Sequence, residues 1–265
     1  MERLIKNKKA IEVFSPILFF LGFLPVVLLL LTGHSNKQSE INLDFIGKNQ
    51  ILIKQIYEKA ENDLFFNDQL AKYASWDSIY NLANQGGFAD TNCPRYAFYC
   101  IIDPNSLNYE ENFKKLFNNS FNDNFKIYFN QTSDYITAVK DNLVVGISKI
   151  NLNYSRANNT INYQIKPHFE IKLDYNFSDY EVILENSKKL ITECYDKTPL
   201  KECINETIKN FKQNDLTWQL GRCDNPDTHV TDKAAFCVFH SPKKIIYTKD
   251  GEKTILYKFA LEFKK

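Results

Sequence analysis

The chain has 265 residues, 44% of them hydrophobic and 25% charged, with 33 basic side chains against 32 acidic ones. That much apolar side chain excludes a disordered chain, and only eight glycines and eight prolines exclude collagen and flexible-linker architectures. The near-neutral charge, with no basic run carrying interleaved aromatics, excludes the electrostatic footprint of a nucleic-acid partner.

Arg3, Lys6, Lys8 and Lys9 open the chain, and from Val13 to Asn36 the only acidic or basic residue is His34, near the far end. Within that stretch, Phe14 to Thr32 would cover about 29 Å as a helix, close to the hydrocarbon thickness of a bilayer. Pro16 falls in the first turn, where its missing N–H matters little, and Pro25 would kink the span, which lipid-embedded helices tolerate. With only Lys37 following closely, the positive-inside rule assigns residues 1–12 to a cytoplasmic tail, 13–33 to a transmembrane anchor in the lipid bilayer, and 40–265 to an extracytoplasmic domain. A cleaved signal peptide is the competing reading, but no A-x-A site follows Leu31, and Gly33-His34-Ser35 is a poor substitute.

Cysteine placement points the same way. Cys93, Cys100, Cys194, Cys203, Cys223 and Cys237 all follow the apolar segment, and an even number in an oxidising compartment favours disulfides. Sequential pairing is expected: Cys93–Cys100, Cys194–Cys203 and Cys223–Cys237, each closing a short loop. Six N-x-S/T sequons, at Asn118, Asn130, Asn153, Asn158, Asn176 and Asn205, are glycosylation candidates outside the membrane.

Beyond the anchor, Ile41–Phe45 alternates and reads as a short strand. A long amphipathic helix is expected from about Asn49 to Asn84, its stripe formed by Ile53, Ile56, Ala60, Leu64, Ala71, Ala74, Ile79 and Leu82, with Gly86-Gly87 as the stop. Asp68 and Lys72 are placed for a surface i,i+4 pair. The run Ala60–Ala74, followed by Ile79-Tyr80-Asn81-Leu82-Ala83 and Gly86-Gly87-Phe88, resembles a pattern in uncharacterised exported proteins of small-genome archaea, as does the ending Tyr257–Leu261. Those proteins also carry one N-terminal hydrophobic span and downstream cysteines. The resemblance implies an archaeal surface location and brings no activity or site residues.

Asp103–Ser106 reads as the start of a second amphipathic helix carrying Phe113, Leu116, Phe117, Phe121, Phe125 and Tyr128. Strands are expected at Tyr135–Lys140 and Leu143–Ile150 around an Asp141-Asn142 turn, then at Ile161–Lys166 and Phe169–Tyr175. Ser178–Glu181 has the form of a capping box opening a third helix, and Thr198-Pro199 would cap and begin a fourth. Phe236–Phe239, Ile245–Thr248 and Thr254–Phe263 read as the last strands, the final two joined through Asp250-Gly251. Helices and strands are largely segregated. The expected class is therefore α+β, an antiparallel sheet with packed helices stapled by disulfides.

Local signatures of chemistry are sparse. No P-loop, dinucleotide fingerprint, H-E-x-x-H, G-x-S-x-G or EF-hand sequence occurs. Ser241–Lys244 matches S-x-x-K but lacks the S-D-N and K-T-G partners that this chemistry requires. Cys223, His229, Cys237 and His240 offer four zinc-type ligands within 18 residues, an alternative to the Cys223–Cys237 disulfide. His168 reads as a surface or packing residue, and Asp224/Asp227 and Glu110/Glu111 as solvated charges. Trp76 and Trp218 are weighed between core packing and a sugar- or peptide-binding face, with packing favoured. No catalytic residue and no cofactor is assigned. The expected function is that of a non-catalytic cell-surface binding or assembly component with a protein or glycan partner. An envelope hydrolase with dispersed active-site residues and a pilin-like filament subunit are the alternatives.

Overall fold

The computed structural model describes residues 40–264 apart from 91, 131, 132, 141, 157–160, 174, 212, 227–229 and 249. The expected cytoplasmic tail and membrane anchor lie outside the described residues. Among the described residues, no helix is long and apolar enough to cross a membrane. The chain divides into two units, residues 1–59 with 154–163, and residues 60–153 with 164–265.

Helix α1 runs Glu40–Asn84. Its first turns take in Ile41–Phe45, so the expected short strand is helix. Alternation over five residues is too brief to specify a strand, and a helix already nucleated downstream extends through it at little cost. In the first unit, Ile56 is buried and Ile53 is exposed. Here Tyr57 and Tyr163 meet edge to face at 6.1 Å, and the Lys59 ammonium lies 5.9 Å from the centroid of Tyr154.

In the second unit, the rest of the stripe behaves as expected. Ala60, Ala71, Ala74, Ile79 and Leu82 are fully buried, and Leu64 is half-buried. Asn67 shares this face and accepts a hydrogen bond from the Tyr135 hydroxyl at 2.8 Å. Ser75 and Ser78, also buried, donate back to the carbonyls of Ala71 and Ala74. The helix stops at Gly86-Gly87, both at positive φ, where the Gly87 N–H donates to the Leu82 carbonyl at 2.8 Å. Asp68 and Lys72 are both exposed and form no ion pair with each other. Partial burial raises the Asp68 carboxyl, and His168 opposes that shift.

A small hairpin, β1 (Arg95–Tyr96) and β2 (Tyr99–Cys100), lies within the Cys93–Cys100 disulfide. Helix α2 spans Tyr109–Phe129 and buries Phe113, Phe117, Phe121 and Phe125, one every four residues. Its cap is Asn108, whose side chain accepts from the Glu111 N–H, so the helix starts later than Asp103–Ser106. Asp103 instead closes a local turn on Asn105 and Ser106. Those donors hold its carboxyl below the usual range.

Strands β3 (Tyr135–Lys140), β4 (Leu143–Ser148) and β7 (His168–Lys172) form one antiparallel sheet in that order. Gly146 lies opposite Phe169, whose ring occupies the space a Cβ would take. The benzyl rings of Phe117, Phe121 and Phe169 and the phenol of Tyr135 pack there, with centroids 5.1–5.9 Å apart. Strands β5 (Leu152–Arg156) and β6 (Ile161–Ile165) make a separate ribbon.

Helix α3 spans Ser178–Cys194 and α4 spans Leu200–Ile208. Ser178 is the first helical residue and not a cap. Phe177 stands at the N-cap with no side-chain cap bond, and Asn176 Oδ1 accepts from the Ser178 N–H at 3.1 Å. Pro199 stands at the N-cap of α4, one position before the expected N1. The second three-stranded sheet has the order β12 (Tyr257–Glu262), β9 (Lys233–His240), β8 (Leu216–Leu220), all antiparallel. The expected strand Thr254–Phe263 is two strands: β11 (Gly251–Thr254) turns back on β10 (Ile245–Thr248), and β12 joins β9. Its core-facing side packs Phe236, Phe259 and Trp218 against one another.

The class is α+β with antiparallel sheets, and all three expected cysteine pairs are present, with Cα–Cα separations of 5.4, 5.8 and 5.1 Å. Cys194–Cys203 ties α3 to α4, and Cys223–Cys237 ties the loop after β8 to the centre of β9.

Candidate functional site

The loop between β7 and α3 delivers a phenol and a carboxyl group to one point in the second unit. Tyr175 ends the extended segment, and Asp179 sits in the first turn of α3, where the unpaired helical N–H groups favour negative charge. Both are buried, at 2% exposure each. Opposite them, the ends of two neighbouring strands contribute His240 from β9 and Tyr257 from β12.

Asp179 Oδ2 accepts from the Tyr257 hydroxyl at 3.0 Å and pairs with His240 Nε2 at 2.9 Å. Asp179 Oδ1 accepts from the Asn214 amide at 3.4 Å. Tyr257 donates its only hydroxyl hydrogen to Asp179, so at its 3.0 Å contact with Tyr175 it is the acceptor. The result is a chain from Tyr175 through Tyr257 to a buried carboxylate that also holds an imidazole. Burial pushes the Tyr175 and Tyr257 phenols well above their ordinary range; Asp179 adds to both, and the Tyr257 hydroxyl adds to the shift of Tyr175 while the Tyr175 hydroxyl opposes that of Tyr257. Tyr180, one residue after Asp179, is raised in the same way, chiefly by burial. Lys244 places its ammonium 5.3 Å from the Tyr175 ring centroid.

This arrangement fixes the His240 ring with Nε2 as donor to Asp179, leaving Nδ1 free of any hydrogen bond to a described hydroxyl or thiol. A carboxylate-oriented imidazole of this kind is one half of a general-base pair. It is equally a staple, since Asp179 alone ties α3 to β9, to β12 and to the Asn214 turn before β8.

That turn leads into a cleft of about 640 Å³. Its floor is apolar: Ile208 at the end of α4, Phe211, and Leu216 and Trp218 of β8. Its rim carries Asn205, Lys209, Asp215, Thr217 and Ser241. Asn214 and Asp215 both lie at left-handed φ (55° and 54°), a conformation that Asn and Asp tolerate better than most residues. Asp215 and Ser241 follow Asn214 and His240 directly, and the Ser241 N–H donates to the Asp215 carbonyl at 2.9 Å. The buried network thus fixes one wall of the cleft.

The sequence-derived candidates separate clearly. Cys223 and Cys237 are bonded to each other, which leaves no thiolate for the zinc alternative. His229 lies outside the described residues, and His240 is engaged with Asp179. Among the described residues, no group of three or more His, Cys, Asp or Glu side chains is arranged to hold a metal ion. His168 is exposed on β7. Glu110 and Glu111 are exposed in the first turn of α2. Asp224 is held below its usual range, first by the Arg222 guanidinium that binds it, and Asp227 lies outside the described residues. Trp218 is core as well as cleft floor, and Trp76 packs half-buried against the core. Of the sequons, Asn130, Asn153 and Asn176 are exposed, Asn118 and Asn205 are half-buried, and Asn158 is outside the described residues. Asn118 also accepts a hydrogen bond from Thr137.

Sequence reasoning did not find Asp179, Tyr175, Tyr257 or Asn214 as a group. They are drawn from four separate elements, and no local motif joins them. No family model, curated protein or solved structure matches the chain.

Proposed function

We propose that the chain is a single-pass membrane protein, anchored through residues 13–33 with its N-terminus in the cytoplasm, whose exterior domain is a non-catalytic binding or assembly component of the cell surface. The observation that carries the location is the cysteine chemistry: all six cysteines are closed into local bridges, the expected state in an oxidising compartment. The uncharged apolar stretch and the basic residues ahead of it supply the anchor and its direction. The binding role is supported by the cleft beside β8, with its apolar floor and mixed polar rim. Protease added to intact cells tests the location. Digestion of everything beyond the anchor is expected, and a fully protected chain in cells whose known surface proteins are cleaved refutes it.

One observation favours a second reading, an envelope hydrolase: the Asp179–His240 pair has the form of an oriented base. Turnover of peptidoglycan-like or glycan substrates by the full chain, abolished by His240→Gln, would establish that alternative.

A further inference from the structure

The sheet β3, β4, β7 ends at β3 on one side and at β7 on the other. The Lys149 N–H donates to the Asp134 carbonyl at 2.7 Å, which fixes the phase of the β3–β4 ladder. By antiparallel alternation, Asp134, Ile136, Ala138 and Lys140 turn their backbone groups toward β4, and Tyr135, Thr137 and Val139 turn theirs away from it. The outward N–H and carbonyl groups of those three residues have no hydrogen-bond partner among the described residues. A cleft of about 270 Å³ separates Thr137, Ala138 and Val139 from the start of α2, so the strand meets open space there.

The two edges are built differently. On β7 the exposed positions are His168, Glu170 and Lys172, a row of polar and charged side chains that discourages strand pairing. On β3 the exposed positions are Ile136, Ala138 and Lys140. Ile136 is 64% exposed, and Ile147, its neighbour across the ladder, is 47% exposed. Regular pairing from Tyr135 to Lys140, with no proline and no bulge, leaves β3 fit to accept another strand.

Symmetry selects which strand. Asp134 precedes Thr137 by three residues and Lys140 follows it by three. An antiparallel copy turned about a two-fold axis through Thr137 therefore sets each acid directly opposite the other copy's base. The Asp134 carboxylate is already held on the exposed face by Lys149 at 2.7 Å, with 51% of its side chain still accessible. In that register the outward residues also match, Thr137 with Thr137 and Tyr135 with Val139, and Ile136 lies beside Ala138 of the second copy. Shifting by one residue sets outward groups against groups already bonded to β4. Shifting by two sets Asp134 opposite Ala138, or Lys140 opposite Ile136. A second copy of β3 carries the complementary pattern by construction.

We propose that two copies of the chain pair through β3, antiparallel about Thr137, to form one six-stranded sheet. The pairing adds a contact between copies to the binding role above and holds whatever the location. The contact is smaller than a standard interface, so a weak dimer in equilibrium with monomer is expected.

Sedimentation equilibrium of the full chain in density-matched detergent reads the dimer constant, and amide exchange reads the edge. Exchange at Tyr135, Thr137 and Val139 should slow as protein concentration rises, while Ile136 and Ala138, already bonded to β4, should not change. Asp134→Lys and Lys140→Asp should each weaken the dimer by about tenfold, because each turns two attractive pairs into repulsive ones. Both positions are exposed, so thermal stability should be unchanged. The two variants mixed should form a heterodimer as tight as the unaltered dimer, because that combination restores both pairs. Lys172→Glu on β7 should have no effect. Four results overturn the proposal: a chain that stays monomeric at millimolar concentration, association indifferent to both charge reversals, a mixture no tighter than its components, or edge protection independent of protein concentration. The second would place the contact elsewhere, such as the anchor, and the last would mean that another segment of the same chain covers β3. Protease protection on intact cells, by contrast, would overturn the location and leave the β3 pairing standing.

Discussion

Removing one oxygen atom tests the buried network. Tyr257 is 1% exposed, donates to Asp179 at 3.0 Å and lies 3.0 Å from the Tyr175 hydroxyl. Tyr257→Phe keeps the ring, and with it the edge-to-face contact with Tyr180 at 5.2 Å. It removes one hydrogen bond to a carboxylate, which contributes about 1.5–3 kcal/mol, and one between hydroxyls, which contributes about 0.5–1.5 kcal/mol. The expected loss is therefore about 2–4 kcal/mol. In a domain of this size that lowers Tm by about 5–15 °C. Urea unfolding of the full chain in a fixed detergent, followed by tryptophan fluorescence, gives the free energy directly. Combining Tyr257→Phe with Asp179→Asn isolates the pairwise coupling, for which about 1–2 kcal/mol is expected. A single-variant loss under about 0.5 kcal/mol, or strict additivity in the double variant, would refute the assignment of these two groups as partners.

Other consequences are more direct. The Tyr175, Tyr180 and Tyr257 phenols are raised by burial, and Tyr109 is raised to about 12, mainly by burial, with Glu181 and Glu110 adding to it. A phenol whose folded pKa exceeds its unfolded value stabilises the fold below about pH 10 and loses that contribution as pH climbs toward the folded value. Stability attributable to these groups should therefore be flat from pH 7 to 9 and fall above about pH 10. Absorbance at 295 nm should show the buried Tyr175, Tyr180 and Tyr257 phenols titrating only with unfolding. Gly146→Ala forces a methyl into the Phe169 ring and should destabilise by about 1–3 kcal/mol, measured by the same unfolding assay, whereas Gly251→Ala meets no atom within 4 Å and is strained only through its φ of 102°. Replacing Cys194 and Cys203 together by serine opens a nine-residue separation and should cost about 2.5–3 kcal/mol in the chain-entropy treatment. Mass spectrometry of the native chain with a thiol reagent should add no label before reduction and six after it, matching six cysteines in three bridges.

Elements with long, unambiguous periods were legible in the sequence. Four phenylalanines, one every four residues, specified α2, and the alanine-bearing stripe ending at Gly86-Gly87 specified most of α1. Both follow from burial of a single helical face. Sequential cysteine pairing was legible because each loop is short and closes within neighbouring elements. Caps were less so. Ser178 and Thr198 are good capping residues by type, but Phe177 and Pro199 hold the N-cap positions, and Asn176 reaches the Ser178 N–H from one residue further back. Which nearby polar group reaches a free N–H is settled by the incoming chain, not by the four-residue pattern. Strand β8 was missed although Leu216-Thr217-Trp218-Gln219-Leu220 alternates with buried Leu, Trp and Leu. The signal was present, but five residues among loop-forming Asn, Asp and Gly read as connection until β9 supplies the partner. The division of Thr254–Phe263 into β11 and β12 was hidden for the same reason. Hydrophobic run length cannot distinguish one long strand from two short ones on different sheets.

The candidate site was illegible for a deeper reason. Asp179 lies 61 residues from His240 and 78 from Tyr257 in sequence, and each residue type is unremarkable at its own position. His240 entered the sequence reading only as a possible zinc ligand beside Cys237. Cys237 faces the opposite side of β9, paired with Cys223, because successive side chains on a strand alternate. The separation of three between Cys237 and His240 that suggested joint coordination is, on a strand, a separation that drives the two side chains apart. The same alternation sends His240 to the face shared with Leu216 and Trp218, where α3 presents Asp179. Hence the disulfide and the carboxyl–imidazole pair grip β9 from its two sides, one near its centre and one at its end. Rigid hold on β9 carries through five paired residues to β8, whose Leu216 and Trp218 floor the cleft.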